Sequence, residues 1–187
     1  MHKFLLTVST AAILTFSYAG SAMAMDMDHA KMLYESAIST WVNDPIVIDA
    51  IKAQNEKHAS LAQTDIDTLD KSWRADDAAI INPILNNDLS TYLKGIVEDG
   101  NGLYSEIIIM DNKGLNVGQS AKTSDFWQGD EAKFTESYSK GAGTIHLSDV
   151  EFDESSQTYQ VQLSITISDG GAPIGAATIG IDAEAAE

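Results

Sequence analysis

The sequence predicts an α+β domain in which a long N-terminal helical segment packs on an antiparallel sheet of about five strands, leaving one sheet face open. Three observations carry this. Between residues 30 and 96 apolar side chains recur at three- and four-residue spacing, the period of a helix face. From Tyr104 onward the period becomes 2, the signature of strands. Turn-forming runs, Asp111-Asn112-Lys113-Gly114 and Ser168-Asp169-Gly170-Gly171, separate the apolar stretches of this second part.

The elements follow in order. Ala30, Leu33, Tyr34, Ala37, Ile38 and Trp41 share one helix face. Asp44-Pro45 reads as an N-cap with proline at the first helical position, and Val47, Ala50, Ile51, His58 and Leu61 continue an apolar stripe, so the two segments form one kinked helix or two helices. Asn82-Pro83 opens another helix, with Ile84, Leu85, Leu89, Tyr92, Leu93 and Ile96 on one side and Gly100 at its end. Tyr104 to Met110 is a continuous apolar run, a central strand buried on both faces, and the turn at 111–114 makes a hairpin with Leu115 to Gln119. Trp127 to Lys140 predicts a short crossing helix with Asp130 and Glu131 at its positive end, Phe134 and Tyr138 packed, and Gly141 as its stop. Three strands close the chain: Thr144 to Phe152, a second in which Tyr159, Val161, Leu163, Ile165 and Ile167 alternate with Gln160, Gln162, Ser164 and Thr166, and Ile174 to Asp182.

Residues 1–24 read as a cleaved Sec-type signal peptide: Lys3 is the positive start, Phe4 to Tyr18 an apolar run too short for a bilayer, and Ala22-Met23-Ala24 the cleavage signal. The expected product is periplasmic and not inserted in a membrane after cleavage, with residues 25–187 forming one domain, 25–100 mainly helical and 101–187 holding the sheet and one crossing helix. A chain without cysteine gains no disulfide in that compartment, so apolar burial must carry its stability. Formal net charge is -17 at pH 7, which excludes nucleic acid and anionic lipid as partners and favours cations. A well-solvated surface accounts for most of that charge.

The element order, the Ile-rich strand ending in Met110-Asp111-Asn112-Lys113-Gly114, the stretch from Ser120 to Trp127 and the Gly-Ala-rich last strand from Ile174 to Asp182 resemble the extracytoplasmic Cache sensor domains, PDC-type relatives of the PAS fold. The resemblance covers nearly all of the chain beyond residue 24. It implies a small-molecule pocket between the sheet and the segment crossing it, no cofactor, and a sensory role in signal transduction with a membrane receptor or sensor kinase as partner; the chain reads as a stand-alone module of this kind. The long helix, through Tyr34 and Trp41, offers a homodimer surface.

In amino-acid-binding members an Arg-x-Trp-Tyr stretch holds the ligand carboxylate and an aspartate past the last strand holds its amino group. The matching positions here are Asp125-Phe126-Trp127-Gln128 and Asp182, so an acid stands where the arginine would be. A ligand carboxylate would then meet like charge, which points to a neutral or cationic ligand lying against Phe126 and Trp127, since a cation over an indole gains about 0.5–2 kcal/mol. Tyr104 and His146, the latter facing away from Ile145 and Leu147, complete the candidate ligand-binding set. The alternative role for Trp127 is to cap the core beneath the crossing helix, with Asp125 as a turn or capping acceptor.

No metal site is expected. Asp65, Asp67 and Asp70 lack the glycine and glutamate of a calcium loop, Asp149, Glu151 and Asp153 read as a solvated strand face, and the Met25 to His29 stretch reads as a frayed tail. Nor is catalysis: nucleophile elbow, zinc-protease, P-loop and dinucleotide motifs are all absent. A structural or protein-interaction module with a collapsed pocket, or less readily a hydrolase, stands as the competing reading.

Overall fold

The structure is a computed structural model that describes residues 25–153 and 157–185; the expected signal peptide lies outside the described residues. Helices α1 (Met27–Leu33) and α2 (Ser39–Val42) are joined through a π-helical stretch, Tyr34–Ile38. The start is not frayed, because the Asp26 carboxylate accepts from the backbone N–H groups of Asp28 and His29. The chain breaks at Asn43 and restarts as α3 (Pro45–Lys57), whose cap Asp44 accepts from Ile46 N. These are therefore separate helices.

Next comes α4 (Gln63–Arg74), a helix not expected from the sequence, which holds Asp65, Asp67 and Asp70. Its buried Ile66, Asp70 and Trp73 stand four and three residues apart, and the Asp65 carboxylate accepts from Ala62 N at its start. The helix expected to open at Pro83 is in fact two. In α5 (Ala78–Leu85), capped by Asp77, Pro83 lies inside the helix, while α6 (Asp88–Asp99) starts at its own cap, Asn87, and ends at Gly100. A caps-first reading misplaces this start because Asp77 and Asn87 both supply the acceptor that Asn82 was expected to supply.

The sheet has six strands: β1 (Tyr104–Met110), β2 (Asn116–Gln119), β3 (Ile145–Leu147), β4 (Glu151–Asp153), β5 (Thr158–Asp169) and β6 (Ala172–Asp182). Their order is β2-β1-β6-β5-β3, all antiparallel, with β4 also on β5, so the sheet is five strands wide. The single strand expected from Thr144 to Phe152 is thus broken into β3 and β4. The β5–β6 hairpin turns on Gly170 and Gly171, whose φ values of 58° and 83° are those a tight two-residue turn demands and which side chains resist.

Alternation along the strands sends Ile107, Ile109, Val161, Leu163, Ile165, Ile167, Ile179 and Ile181 to one face, where Val42, Val47, Ile51, Leu89 and Leu93 of the helices cover them. Each such aliphatic side chain, fully buried, stabilises by about 1.5–3 kcal/mol, so this one layer replaces disulfides as the main support. Tyr159 shares the inward parity but is exposed, edge-on to Phe152 with ring centroids 5.3 Å apart.

The opposite face is not fully open. Residues 120–141 cross it, and Phe134 and Tyr138, stacked at 4.9 Å, pack on Ile108, Met110 and Ala176. This crossing is less helical than expected: α7 spans only Ala132–Thr135, followed by a 3-10 turn, Tyr138–Lys140, that stops at Gly141. Trp127 precedes it in extended conformation, bridged to Leu115.

Candidate functional site

Between the outer sheet face and the crossing segment lies a cavity of about 360 Å³, lined by Glu106 and Ile108 of β1, Thr123, Ser124, Gln128 and Lys133 of the crossing, Asp153 of β4 and Gln162 of β5. A second, of about 170 Å³, shares Lys133 and Gln162 with it and runs on to His146, Ser148, Glu151 and Ser164. The polar residues alternating with the apolar ones of β5 make this floor. Ser164 and Thr178 hydroxyls pair at 3.0 Å, and Gln160 and Gln162 each donate to Glu106 Oε1 at 3.3 Å. Gly180 keeps the floor flat: an added Cβ would meet Ser105 Oγ at 2.3 Å and Gln160 Oε1 at 2.4 Å.

The crossing segment is held from two sides. On the hairpin side, Gln128 N donates to Gly114 O at 2.8 Å and Trp127 Nε1 to Lys113 O at 2.8 Å, an approach so close that a Cβ on Gly114 would lie 2.5 Å from Gly129 Cα. On the helix side, Asp70 Oδ1 accepts from Phe126 N at 2.9 Å and Trp127 N at 3.1 Å. Trp73 stacks on Phe126 with centroids 5.4 Å apart and donates its indole N–H to Thr123 O at 2.8 Å. Asp70 and Trp73 therefore position the wall of the cavity, and the spacing of α4 is the sequence signal that finds them.

The six residues singled out from sequence do not come together. His146 lines the smaller cavity on the sheet face. Trp127 instead lines a groove facing α4, with Asp67, Asp70, Lys71, Arg74 and Asp130. Phe126 is buried in the small core with Ile66, Trp73, Ile81 and Leu115, and Tyr104 in the large core under the helices. Asp182 caps the terminal turn, accepting from Glu184 N at 2.8 Å and Ala185 N at 3.0 Å. Asp125 pairs with Arg74 Nε at 2.9 Å.

That pair corrects the electrostatic expectation. An arginine does reach Asp125, but from α4, 51 positions earlier in the chain than the motif position, and Lys133 brings a second positive charge to the sheet-face cavity. A walls-without-cations pocket centred on Trp127 is not what these residues build.

The chain is similar to the ligand-binding domain of the Campylobacter jejuni chemoreceptor Tlp3, solved in complex with 4-methylisoleucine, at 17% identity over 87% of this chain and 65% of that chain, with a TM-score of 0.41. It is also similar to the sensor domain of the V. cholerae histidine kinase DctB, at 13% identity over 85% of this chain and 55% of that one, with a TM-score of 0.39. Its structural neighbours are sensory domains of chemoreceptors and histidine kinases. This chain spans less than two thirds of the length of either, and at such identities and scores their ligands carry nothing over to it. No family model and no curated protein matches the chain. Among the described residues, no helix is long and apolar enough to cross a membrane and no group of three or more metal-binding side chains occurs.

Within the cavity the surroundings shift the protonation of Glu106. Burial pushes its pKa above the ordinary 4.5; the Lys133 charge and the two amide hydrogen bonds pull it down, and Asp153 adds to the rise. The folded state therefore binds the Glu106 proton more tightly than the unfolded chain does. As pH rises from 4.5 through the raised folded value, the unfolded chain gives up this proton first, and folding stability drops. Urea midpoints measured from pH 4 to 8 should show Glu106→Gln gaining on the wild type as pH increases through that window. Parallel curves would mean that the carboxyl is not penalised by its site.

Proposed function

We propose that this chain is a non-catalytic, periplasmic small-molecule-binding sensory module whose ligand occupies the cavity between the outer sheet face and the crossing segment, and that occupancy is passed to a membrane receptor or sensor kinase. What supports the reading is the cavity itself. Its volume falls at the small end of the range for small-molecule sites, and its lining mixes one apolar residue, Ile108, with amides, hydroxyls and charges that converge from four parts of the chain. A structural module with a collapsed core would have closed this space with side chains, as the helical face of the same sheet does.

His146 sits opposite Ser164 across β3 and β5, and among the described residues no carboxylate is hydrogen-bonded to its ring. Placing an indole in the wall tests the reading. Ser124→Trp should leave the circular dichroism spectrum unchanged and abolish the rise in melting temperature produced by whichever members of a library of small polar metabolites stabilise the wild type. If no member of the library stabilises the wild type, and native mass spectrometry finds no retained small molecule, the sensory reading is lost.

A further inference from the structure

Glu106 stands out in this cavity for what it lacks. It is the one charged residue of the strand Tyr104–Met110, and parity with Ile108 turns it to the outer face under the crossing segment. Both amides that reach it, Gln160 Nε2 and Gln162 Nε2, bond the same oxygen, Oε1. No hydrogen bond reaches Oε2 among the described residues, and no ammonium or guanidinium pairs with the carboxylate. The cation that acts on it is Lys133, whose side chain is only 14% exposed and whose ammonium makes its direct contact, at 3.1 Å, with Glu131 Oε2 rather than with Glu106. Glu106 is half-buried, and a carboxylate partly withdrawn from water at the edge of a cavity gains when a cation enters beside it.

We infer that the cavity takes a small cationic ligand, an amine or guanidine of a few heavy atoms, whose charged nitrogen meets Glu106 Oε2 while its remaining donors and acceptors meet Gln162, Gln128 and the Thr123 and Ser124 hydroxyls. This rests on the proposed binding function and names the ligand class for that same site. The surrounding charge agrees: the described residues lining the two adjoining cavities, which share Lys133 and Gln162, bring the carboxylates of Glu106, Glu131 and Glu151 against the single ammonium of Lys133. A dianion, or the carboxylate end of an amino acid, would have to displace Glu131 from Lys133 and sit near Glu106.

The experiment is isothermal titration calorimetry of the purified protein with compounds of matched shape and different charge: 1,4-diaminobutane, 4-aminobutylguanidine and 2-aminoethanol, against 1,4-butanediol, butanedioate and L-leucine. At least one amine is expected to bind, with the diol and the diacid at least tenfold weaker. Glu106→Gln is expected to weaken that amine at least tenfold with its circular dichroism unchanged. Lys133→Met, which removes the only ammonium and leaves Glu106 in place, is expected to tighten the amine, and this arm stands even if the Glu106 variant folds poorly. Amine binding should also fade as pH falls through the window in which Glu106 takes up its proton, with Lys133 and Asp153 the charged groups facing it.

Binding of butanedioate or L-leucine that survives Glu106→Gln and is lost in Lys133→Met would overturn the cationic assignment and leave the sensory reading standing. Binding of nothing in this panel, together with no stabilisation by any wider set of metabolites, would remove both.

Discussion

Trp73→Ala is expected to cost about 3–5 kcal/mol of folding stability, the range for truncating a fully buried large aromatic. Trp73 is 0% exposed and anchors the small core that binds α4 to the crossing segment. Its ring stacks on Phe126, and its N–H is the partner of Thr123 O, a residue that also lines the sheet-face cavity. Domains of this size are stable by about 5–15 kcal/mol in total, so the loss takes a large share of the whole. Urea unfolding with the slope held fixed measures it. The milder Trp73→Phe keeps an aromatic ring on Phe126 and leaves Thr123 O without its donor, for an expected loss of about 1–3 kcal/mol. If ligand binding weakens in the phenylalanine variant while most of the stability remains, the indole hydrogen bond sets the position of the cavity wall. A loss under about 1 kcal/mol for the alanine variant would show that the small core is not a unit of the fold.

The second large effect is expected at Asp111. This carboxylate, 0% exposed, sits at the end of β1 and collects donors from three directions: His58 Nδ1 at 3.0 Å, Gln54 Nε2 at 3.1 Å, and the backbone N–H groups of Lys113 at 2.8 Å and Leu115 at 3.0 Å. Because a carboxylate only accepts, the proton of that histidine contact lies on Nδ1. Asp111 thereby shapes the β1–β2 turn and ties it to α3, and the same turn holds Trp127 and Gln128 through Lys113 O and Gly114 O. Asp111→Ala leaves His58 and two backbone donors buried without a partner, which sets the expected loss at about 3–5 kcal/mol. Asp111→Asn keeps the shape but turns a donor toward donors, so it should recover only part of that. Hydrogen exchange should report faster opening at residues 113–115 and 126–128 in both variants; protection unchanged there would mean that the turn is held by its backbone alone.

Much of the architecture was legible as pattern. Period 2 in Val161, Leu163, Ile165 and Ile167 against Gln160, Gln162 and Ser164 gives β5 its two faces, and Asp44-Pro45 marks the start of α3, because both signals are local. The site was much less legible. Glu106 lies in a run that reads as wholly buried, and nothing in the run says that one face looks into a cavity rather than a core. Asp125 was offered to a ligand because it stands where the resembled sensor domains carry an arginine, whereas Arg74 arrives from a helix hidden among acids. Trp127 was expected over the sheet because an aromatic in a crossing segment has two sides to choose from, and the choice depends on Asp70 accepting from its backbone N–H.

What the sequence determined by itself is a helical first part followed by a strand-rich second part, the inward and outward faces of the long strands, and a charge balance hostile to anionic partners, for these follow from composition and from neighbours within a turn or two of chain. Only the tertiary structure decided which outward faces meet one another. Lys133 between Glu131 and Glu106, and Arg74 with Asp125, are facts about side chains brought close by folding, and charge interactions fall away so steeply with separation and water that only such closeness gives them meaning.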